Sequence, residues 1–308
     1  MKKNYLLILI GLSLLVMVGC QNNSSQKDPN KIQVVATTTM LTDLVENIGG
    51  DKVQVNGLMG PGIDPHLYQA SAKDVTKMQT ADVVVHNGLH LEGKMGDVFE
   101  ALNKRGKNVI KIENGLDKTK LLKSEDNSSQ PDPHIWFDVS MWQQGAKEVA
   151  KGLIKADPKN QATYQTNLDR YLAELVELDQ YMMNKVQELP KEKRILVTAH
   201  DAFRYFGQRY DFEVVGLQGI STQAEAGTGD MRKLADFIVK HQIKAVFVES
   251  SVPTKTIEAL QAATKAKGFD VKIGGELYSD SLGDEKHDTA TYIKTLKANT
   301  DTIVNALK

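Results

Sequence analysis

A chain of 308 residues, 41% hydrophobic and 25% charged, has the length of two domains or one large bilobed body, with enough apolar material for a proper core. With 38 Lys and Arg against 39 Asp and Glu, the formal net charge of −1 offers no basic face to nucleic acid. A single Cys excludes an internal disulfide, a Cys-rich zinc cluster and a CxxC redox pair.

The first element in chain order reads as an export signal. Met1-Lys2-Lys3 is a short basic start, and residues 6–18 are an almost unbroken apolar run of 13 residues. That is too short to span a bilayer comfortably, which takes about 20 residues, but suits the h-region of a signal. The run ends in Met17-Val18-Gly19-Cys20, which resembles a bacterial lipoprotein cleavage box with Met where Leu is more usual. The resemblance implies a signal peptide over 1–19, cleavage before Cys20, and lipid on the Cys20 sulfur. Residues 20–30 are polar, lack an apolar period and read as a flexible tether. The folded body therefore starts at residue 31, outside the cytoplasmic membrane.

From there short β-branched runs alternate with helical stretches. The spacing predicts strands over 32–37, 53–58, 82–86 and 108–112, and helices over 41–48, 71–80 and 95–105. Ser71 followed by Asp74 is a capping-box signal with Asp in place of the usual Glu. Residues 159–189 contain no Gly and no Pro, and Tyr164, Leu168, Tyr171, Leu175, Leu178, Met182 and Val186 recur at intervals of four and three. That is one stripe of a long helix, about 45 Å at 1.5 Å per residue. An isolated stretch of this length inside an α/β chain reads as a spine rather than a coiled-coil arm. The second half repeats the scheme, with strands over 194–198, 213–217, 244–248 and 271–275 and helices over 202–209, 230–241, 254–267 and 289–307. No sequence repeat joins the halves, although the order of elements matches. The expected fold is α/β: two lobes, each with a mainly parallel four-stranded sheet flanked by helices, joined by one long spine helix. The divisions fall at 31–157, 158–190 and 191–308.

Three of the seven His occupy similar settings. Asp64-Pro65-His66 closes a Gly- and Pro-rich loop after a strand, Asp132-Pro133-His134 repeats the triplet, and His200 stands where the 194–198 strand gives out. Asp280 lies in a matching place beyond the last strand. The gaps of 68, 66 and 80 residues exclude a local motif, but the four share one topology. In open α/β sheets ligands bind beyond the carboxyl ends of the strands. Two lobes facing each other would bring His66 and His134 from one side and His200 and Asp280 from the other, a donor set suited to a divalent transition metal. The Pro before His66 and before His134 stiffens the backbone ahead of the donor. Any one of the four alone reads as a capping or surface residue, and Asp280 as a turn cap near Gly283. The case rests on the four together.

The chain also resembles the solute-binding lipoproteins of bacterial metal-ion ABC importers, the manganese- and zinc-binding cluster A-I group. The resemblance runs over residues 32–308. It is carried by Gly60-Pro61-Gly62-Ile63-Asp64-Pro65-His66, Asn87-Gly88-Leu89-His90-Leu91-Glu92, Asp132-Pro133-His134-Ile135-Trp136-Phe137-Asp138, Thr198-Ala199-His200-Asp201-Ala202-Phe203, Phe247-Val248-Glu249 and Gly274-Gly275-Glu276-Leu277-Tyr278-Ser279-Asp280. It implies metal ligation by His66, His134, His200 and Asp280, and two α/β lobes on a long helix. It further implies delivery of the ion to a membrane permease driven by a cytoplasmic ATPase, and a monomer held by lipid at the outer face of the cytoplasmic membrane. Zinc-dedicated members usually carry a His-rich acidic loop; residues 116–130 here contain no His. Together with the Thr-Ala-His-Asp-Ala-Phe wording this points to Mn²⁺, with Zn²⁺ next and iron third.

The remaining candidates are weaker. His86 and His90 have helical metal-pair spacing, but Gly88 at a strand exit lies between them. His241 and His287 read as solvated, and Trp136 and Trp142 as packing residues. Glu249, at a strand end, could orient a ligand His or cap the following loop, and the sequence leaves both open. A zinc hydrolase would need an open coordination position and a general base, and there is neither HExxH nor GxSxG. An organic-solute receptor would show aromatic and Arg anchors at the strand ends, where His, Asp, Pro and Gly stand instead. Nothing in the sequence requires an adhesin.

Overall fold

The computed structural model describes residues 28, 30–124 and 130–308. The signal peptide, Cys20 and nearly all of the tether lie outside the described residues, as does part of the 116–130 stretch. Among the described residues no helix is long and apolar enough to cross a membrane.

The first half runs β1 (Ile32–Ala36), α1 (Thr39–Gly49), β2 (Val53–Gly57), α2 (Ala72–Thr80), β3 (Val83–His86), α3 (Gly96–Lys104), β4 (Asn108–Lys111) and α4 (Val139–Ala156). Its four strands form one parallel sheet in the order β2-β1-β3-β4. Every residue of β3 is buried, as expected of a strand covered on both faces. The capping box at α2 is present: Ser71 Oγ accepts the Asp74 amide while Asp74 accepts the Ser71 amide.

Helix α4 is the element the sequence reading passes over. Its N-cap is conventional, Asp138 accepting the Ser140 amide at 2.8 Å, and its buried residues include Val139, Trp142, Ala146, Val149 and Leu153 at helical spacing. Gly145 and Gly152 mask it, since glycine disfavours helix interiors. Both face β4 and its exit: a Cβ on Gly145 would meet Ile112 at 3.1 Å, and one on Gly152 would collide with Ile110. The residues that weaken the helical signal are those that let the helix lie flush on the sheet.

The spine, α5 (Gln161–Val186), is 26 residues long, or about 39 Å. It is shorter than the expected 159–189 because a 3-10 turn over Pro158–Asn160 precedes it and Gln187 ends it. Its buried residues are the seven of the predicted stripe. It packs on α1 and α4 of the first half and on α6 and α9 of the second. Polar contacts fix it further: Asn167 donates to Ile48 O at 3.0 Å, Arg209 pairs with Asp179, and Tyr181 donates to Asp301 at 2.8 Å.

The second half runs β5 (Ile195–His200), α6 (Arg204–Tyr210), β6 (Glu213–Gln218), α7 (Thr228–His241), β7 (Ala245–Glu249), α8 (Lys255–Ala266), β8 (Lys272–Leu277) and α9 (Tyr292–Leu307). The four strands are parallel as expected, but they hydrogen-bond in two pairs, β5-β6 and β7-β8, with β5 lying beside β7. At the open end of that seam the His200 amide bonds the Glu249 side chain at 2.9 Å, not a backbone carbonyl. One apolar cluster runs from the first sheet through α5 to α6, α9 and residues of β7 and β8. The Tyr292 amide of α9 also reaches Asp43 of α1, at 3.2 Å.

Candidate metal centre

The carboxyl ends of the strands from both halves meet at one point. His66 hangs on the loop after β2, where Gly62 adopts φ +74° and donates its amide to Ser281 Oγ at 2.8 Å, tying this loop to the one after β8. His134 precedes a 3-10 turn leading into α4, His200 is the last residue of β5, and Asp280 lies three residues beyond β8. All four side chains are buried, and one donor atom from each lies within 4.8 Å of all the others.

The separations resolve the arrangement. His134 Nε2 is 3.3 Å from His66 Nε2 and 3.4 Å from His200 Nε2. Asp280 Oδ2 is 3.6 Å from His66 Nε2 and 3.2 Å from His200 Nε2, and Oδ1 is 3.4 Å from His134 Nε2. A tetrahedron with bonds of about 2.1 Å, the length usual for Zn–N and Zn–O, has edges of about 3.4 Å. Neither Asp280 oxygen has a hydrogen-bond partner among the described residues, although both are buried. Among the described residues only the three imidazoles face this buried carboxylate, and a bound cation would be held by the carboxylate and the imidazoles together.

Neighbouring carboxylates orient two of the rings. Glu249 Oε2 is 2.6 Å from His200 Nδ1, and its Oε1 accepts the His200 amide. Asp132 Oδ1 is 2.7 Å from His134 Nδ1 and accepts the His134 amide at 3.0 Å. Each carboxylate accepts a hydrogen bond from Nδ1–H, which in the neutral ring leaves the Nε2 lone pair facing the centre. Asp64, in the matching triplet, works differently: it accepts the His66 amide at 2.8 Å and the Thr222 hydroxyl at 2.5 Å, from the opposite half.

Without a metal the centre is strongly polarised. Burial pushes the His66 imidazole down to about 3. Burial also opposes charge on His134, but Asp132 and Asp280 outweigh it and raise the ring to about 9. His200 is raised in the same way, against burial, by Glu249 and Asp280. Burial opposes the charge of Asp280 too, and the facing imidazoles hold it well below the usual carboxylate range. The raised proton affinity of His134 and His200 sets protons in competition with any cation that enters.

The other candidates lie elsewhere. His86 stacks on Phe99 with ring centroids 4.0 Å apart. His90 is exposed at φ +62°, so the two do not form a helical pair. His241 sits at the exposed end of α7 beside Phe237, and His287 is exposed on Asp284. Trp142 packs on Tyr292, with its Nε1 donating to the Tyr171 hydroxyl. Trp136 does more than pack: its ring meets the His134 ring edge-on, and its Nε1 donates to Ser279 O, next to Asp280. Sequence reasoning missed the role of Asp132, for which its place one Pro before His134 is the available signal.

Comparison with known proteins gives a consistent result. The profile of a family described as ZnuA, "Zinc-uptake complex component A periplasmic", matches residues 34–306. The chain is 42% identical over 293 residues to the manganese-binding lipoprotein MntA of Bacillus subtilis, covering 95% of each. It is 44% identical over 300 residues to the zinc-binding protein TroA of Treponema pallidum, covering 96% of each. The solved structure of the periplasmic zinc-binding protein TroA superposes with a TM-score of 0.87 at 45% identity, over 90% of this chain and 99% of that one. A Mn-bound periplasmic metal-binding protein from Candidatus Liberibacter asiaticus superposes with a TM-score of 0.79 at 27% identity, over 90% of this chain and all of the other.

Proposed function

The chain belongs to the ZnuA family, and from that premise we propose that it is an extracytoplasmic receptor that binds one divalent transition metal and delivers it to an ABC importer. His66, His134, His200 and Asp280 are the ligands, with Glu249 and Asp132 orienting His200 and His134. The observation that carries this reading is the convergence of four buried side chains, one donor atom from each within 4.8 Å of all the others, on a carboxylate whose oxygens have no hydrogen-bond partner among the described residues. The body divides into lobes over 31–157 and 191–308 on the connecting helix 158–190. Lipid on Cys20 holds a monomer at the outer face of the cytoplasmic membrane, where the permease, driven by the importer's cytoplasmic ATPase, takes the ion; the relatives named as lipoproteins support the anchor.

Mn²⁺ is the preferred cargo. The relatives from Bacillus and Treponema carry manganese and zinc in their names, so the donor set makes the choice. Both Asp280 oxygens face the imidazoles, Oδ1 towards His134 and Oδ2 towards His66 and His200. Bidentate ligation would raise the coordination number above four, which suits Mn²⁺ better than Zn²⁺. Zn²⁺ is the second reading, favoured by a set of three imidazoles in which His134 stands at tetrahedral spacing from the other two. A shell completed by Asp280 leaves no open position for activated water, which supports a receptor over a hydrolase. The test is elemental analysis after offering the protein Mn²⁺, Zn²⁺ and Fe²⁺ in competition, repeated on His66→Ala and Asp280→Ala. Both variants are expected to keep the fold and lose tight loading; stoichiometric metal in either would overturn the ligand set.

A further inference from the structure

Glu92 is a buried carboxylate that none of the ligand chemistry uses. It is 4% exposed, and its one ion-pair neighbour among the described residues is His86, with Nδ1 at 3.9 Å from Oε2. Its other contacts are neutral donors: the Thr37 hydroxyl at 2.6 Å and the Asn87 amide at 2.9 Å on Oε1, and the Gly88 amide at 3.3 Å on Oε2. Burial opposes its charge, but His86 first, and then the Thr37 and Asn87 bonds, hold it below the usual carboxylate range. A site so far from water would be filled more cheaply by an apolar side chain. What its partners touch next supplies a reason for the charge.

Thr37 lies just beyond β1, and its carbonyl accepts the Met59 amide at 3.0 Å, at the root of the loop that carries His66. Asn87 lies just beyond β3, and its side-chain amide donates to Pro133 O at 3.1 Å, one residue before His134. The same carboxylate thus reaches Pro133, adjacent to His134, through Asn87, and Met59, seven residues before His66 at the start of its loop, through Thr37. We propose that Glu92 is a positioning residue for metal capture, fixing through Thr37 and Asn87 the roots of the two loops that present His66 and His134. The proposal rests on the ligand assignment above. The loop after β8 ties both of these loops to the second half, through Ser281 and Ser279; Glu92 links their roots from within the first half.

The test measures Mn²⁺ affinity and the visible absorption spectrum of the Co²⁺-loaded protein for the wild type, Glu92→Gln, Thr37→Val, Asn87→Ala, His134→Ala and Leu102→Ala. Glu92→Gln keeps the shape but presents an amide N–H₂ to a backbone donor. It is expected to weaken Mn²⁺ binding by about 10- to 100-fold, the usual range for residues behind a metal ligand, and to shift the Co²⁺ bands. Leu102→Ala cuts a buried side chain of α3 in the same half, so it lowers thermal stability while leaving affinity and bands unchanged. Wild-type affinity in Glu92→Gln, or an equal loss in Leu102→Ala, would overturn the proposal. Should Glu92→Gln fail to fold, Thr37→Val and Asn87→Ala each remove one arm and keep the carboxylate. Both are expected to weaken binding, and wild-type affinity in both would overturn it. His134→Ala separates the two readings: metal retained there refutes the ligand set itself, while metal lost there and kept in Glu92→Gln refutes only the role of Glu92.

Discussion

Glu249→Gln isolates what a carboxylate behind an imidazole does for a metal. Glu249 is 1% exposed and makes two bonds to His200, to the ring Nδ1 at 2.6 Å and to the amide at 2.9 Å. Glutamine can keep the amide bond through its oxygen, but then its N–H₂ faces Nδ1 and favours the tautomer whose proton sits on Nε2, pointing into the centre. Losing such a partner costs about 10- to 100-fold in metal affinity, or about 1.4–2.7 kcal/mol. The same carboxylate also raises the proton affinity of His200 in the metal-free protein. Wild-type binding therefore weakens as pH falls, because each cation must expel protons held on His134 and His200. The variant loses part of that competition, so its deficit is largest at high pH and narrows at low pH. Chelator competition with Mn²⁺ between about pH 6 and about pH 8.5, spanning the ordinary imidazole range, would trace both curves. Parallel curves, or wild-type affinity throughout, would refute the reasoning.

Two further predictions concern the scaffold. Burial holds the Asp43 carboxyl at about 7, against 3.8 when unfolded, so the folded chain binds this proton more tightly than the unfolded one. Its contribution to stability is present in full below pH 3.8 and is lost as pH rises through about 7; Asp43→Asn should flatten that fall in thermal melts of the metal-free protein, and an unchanged pH profile would count against it. Leu178 is fully buried in α5; Leu178→Ala should cost about 2–5 kcal/mol in denaturant unfolding while metal stoichiometry stays at the wild-type value.

His66, His200 and Asp280 are legible in the sequence because each follows the end of a strand, and strand ends follow from β-branched runs; His134 is legible because it repeats the Asp-Pro-His triplet of His66. The spine is legible because its buried stripe is uninterrupted by Gly or Pro. What supports the donors is far less so. Glu249 lies 49 residues from His200 and meets it only because β5 and β7 are neighbours, an adjacency no spacing encodes. Glu92 and Asn87 stand in a stretch whose Gly88, Leu89 and His90 all adopt positive φ, where neither a helical nor a strand period applies. Helix α4 is hidden by two glycines whose purpose is tertiary. In the second half the strands are legible, but the division into the pairs β5-β6 and β7-β8 is not, since strand periodicity does not say which neighbours hydrogen-bond.

The apolar cluster that threads from the first sheet through α5 into α6 and α9 bears on how a cargo-laden molecule is told from an empty one. Swinging the halves apart as a clamshell would wet that cluster, at about 25 cal/mol for every Å² uncovered. That cost opposes wide opening, and it leaves the loops at the rim, such as the one where Thr222 reaches across to Asp64, as the part of the surface freest to report occupancy to an importer.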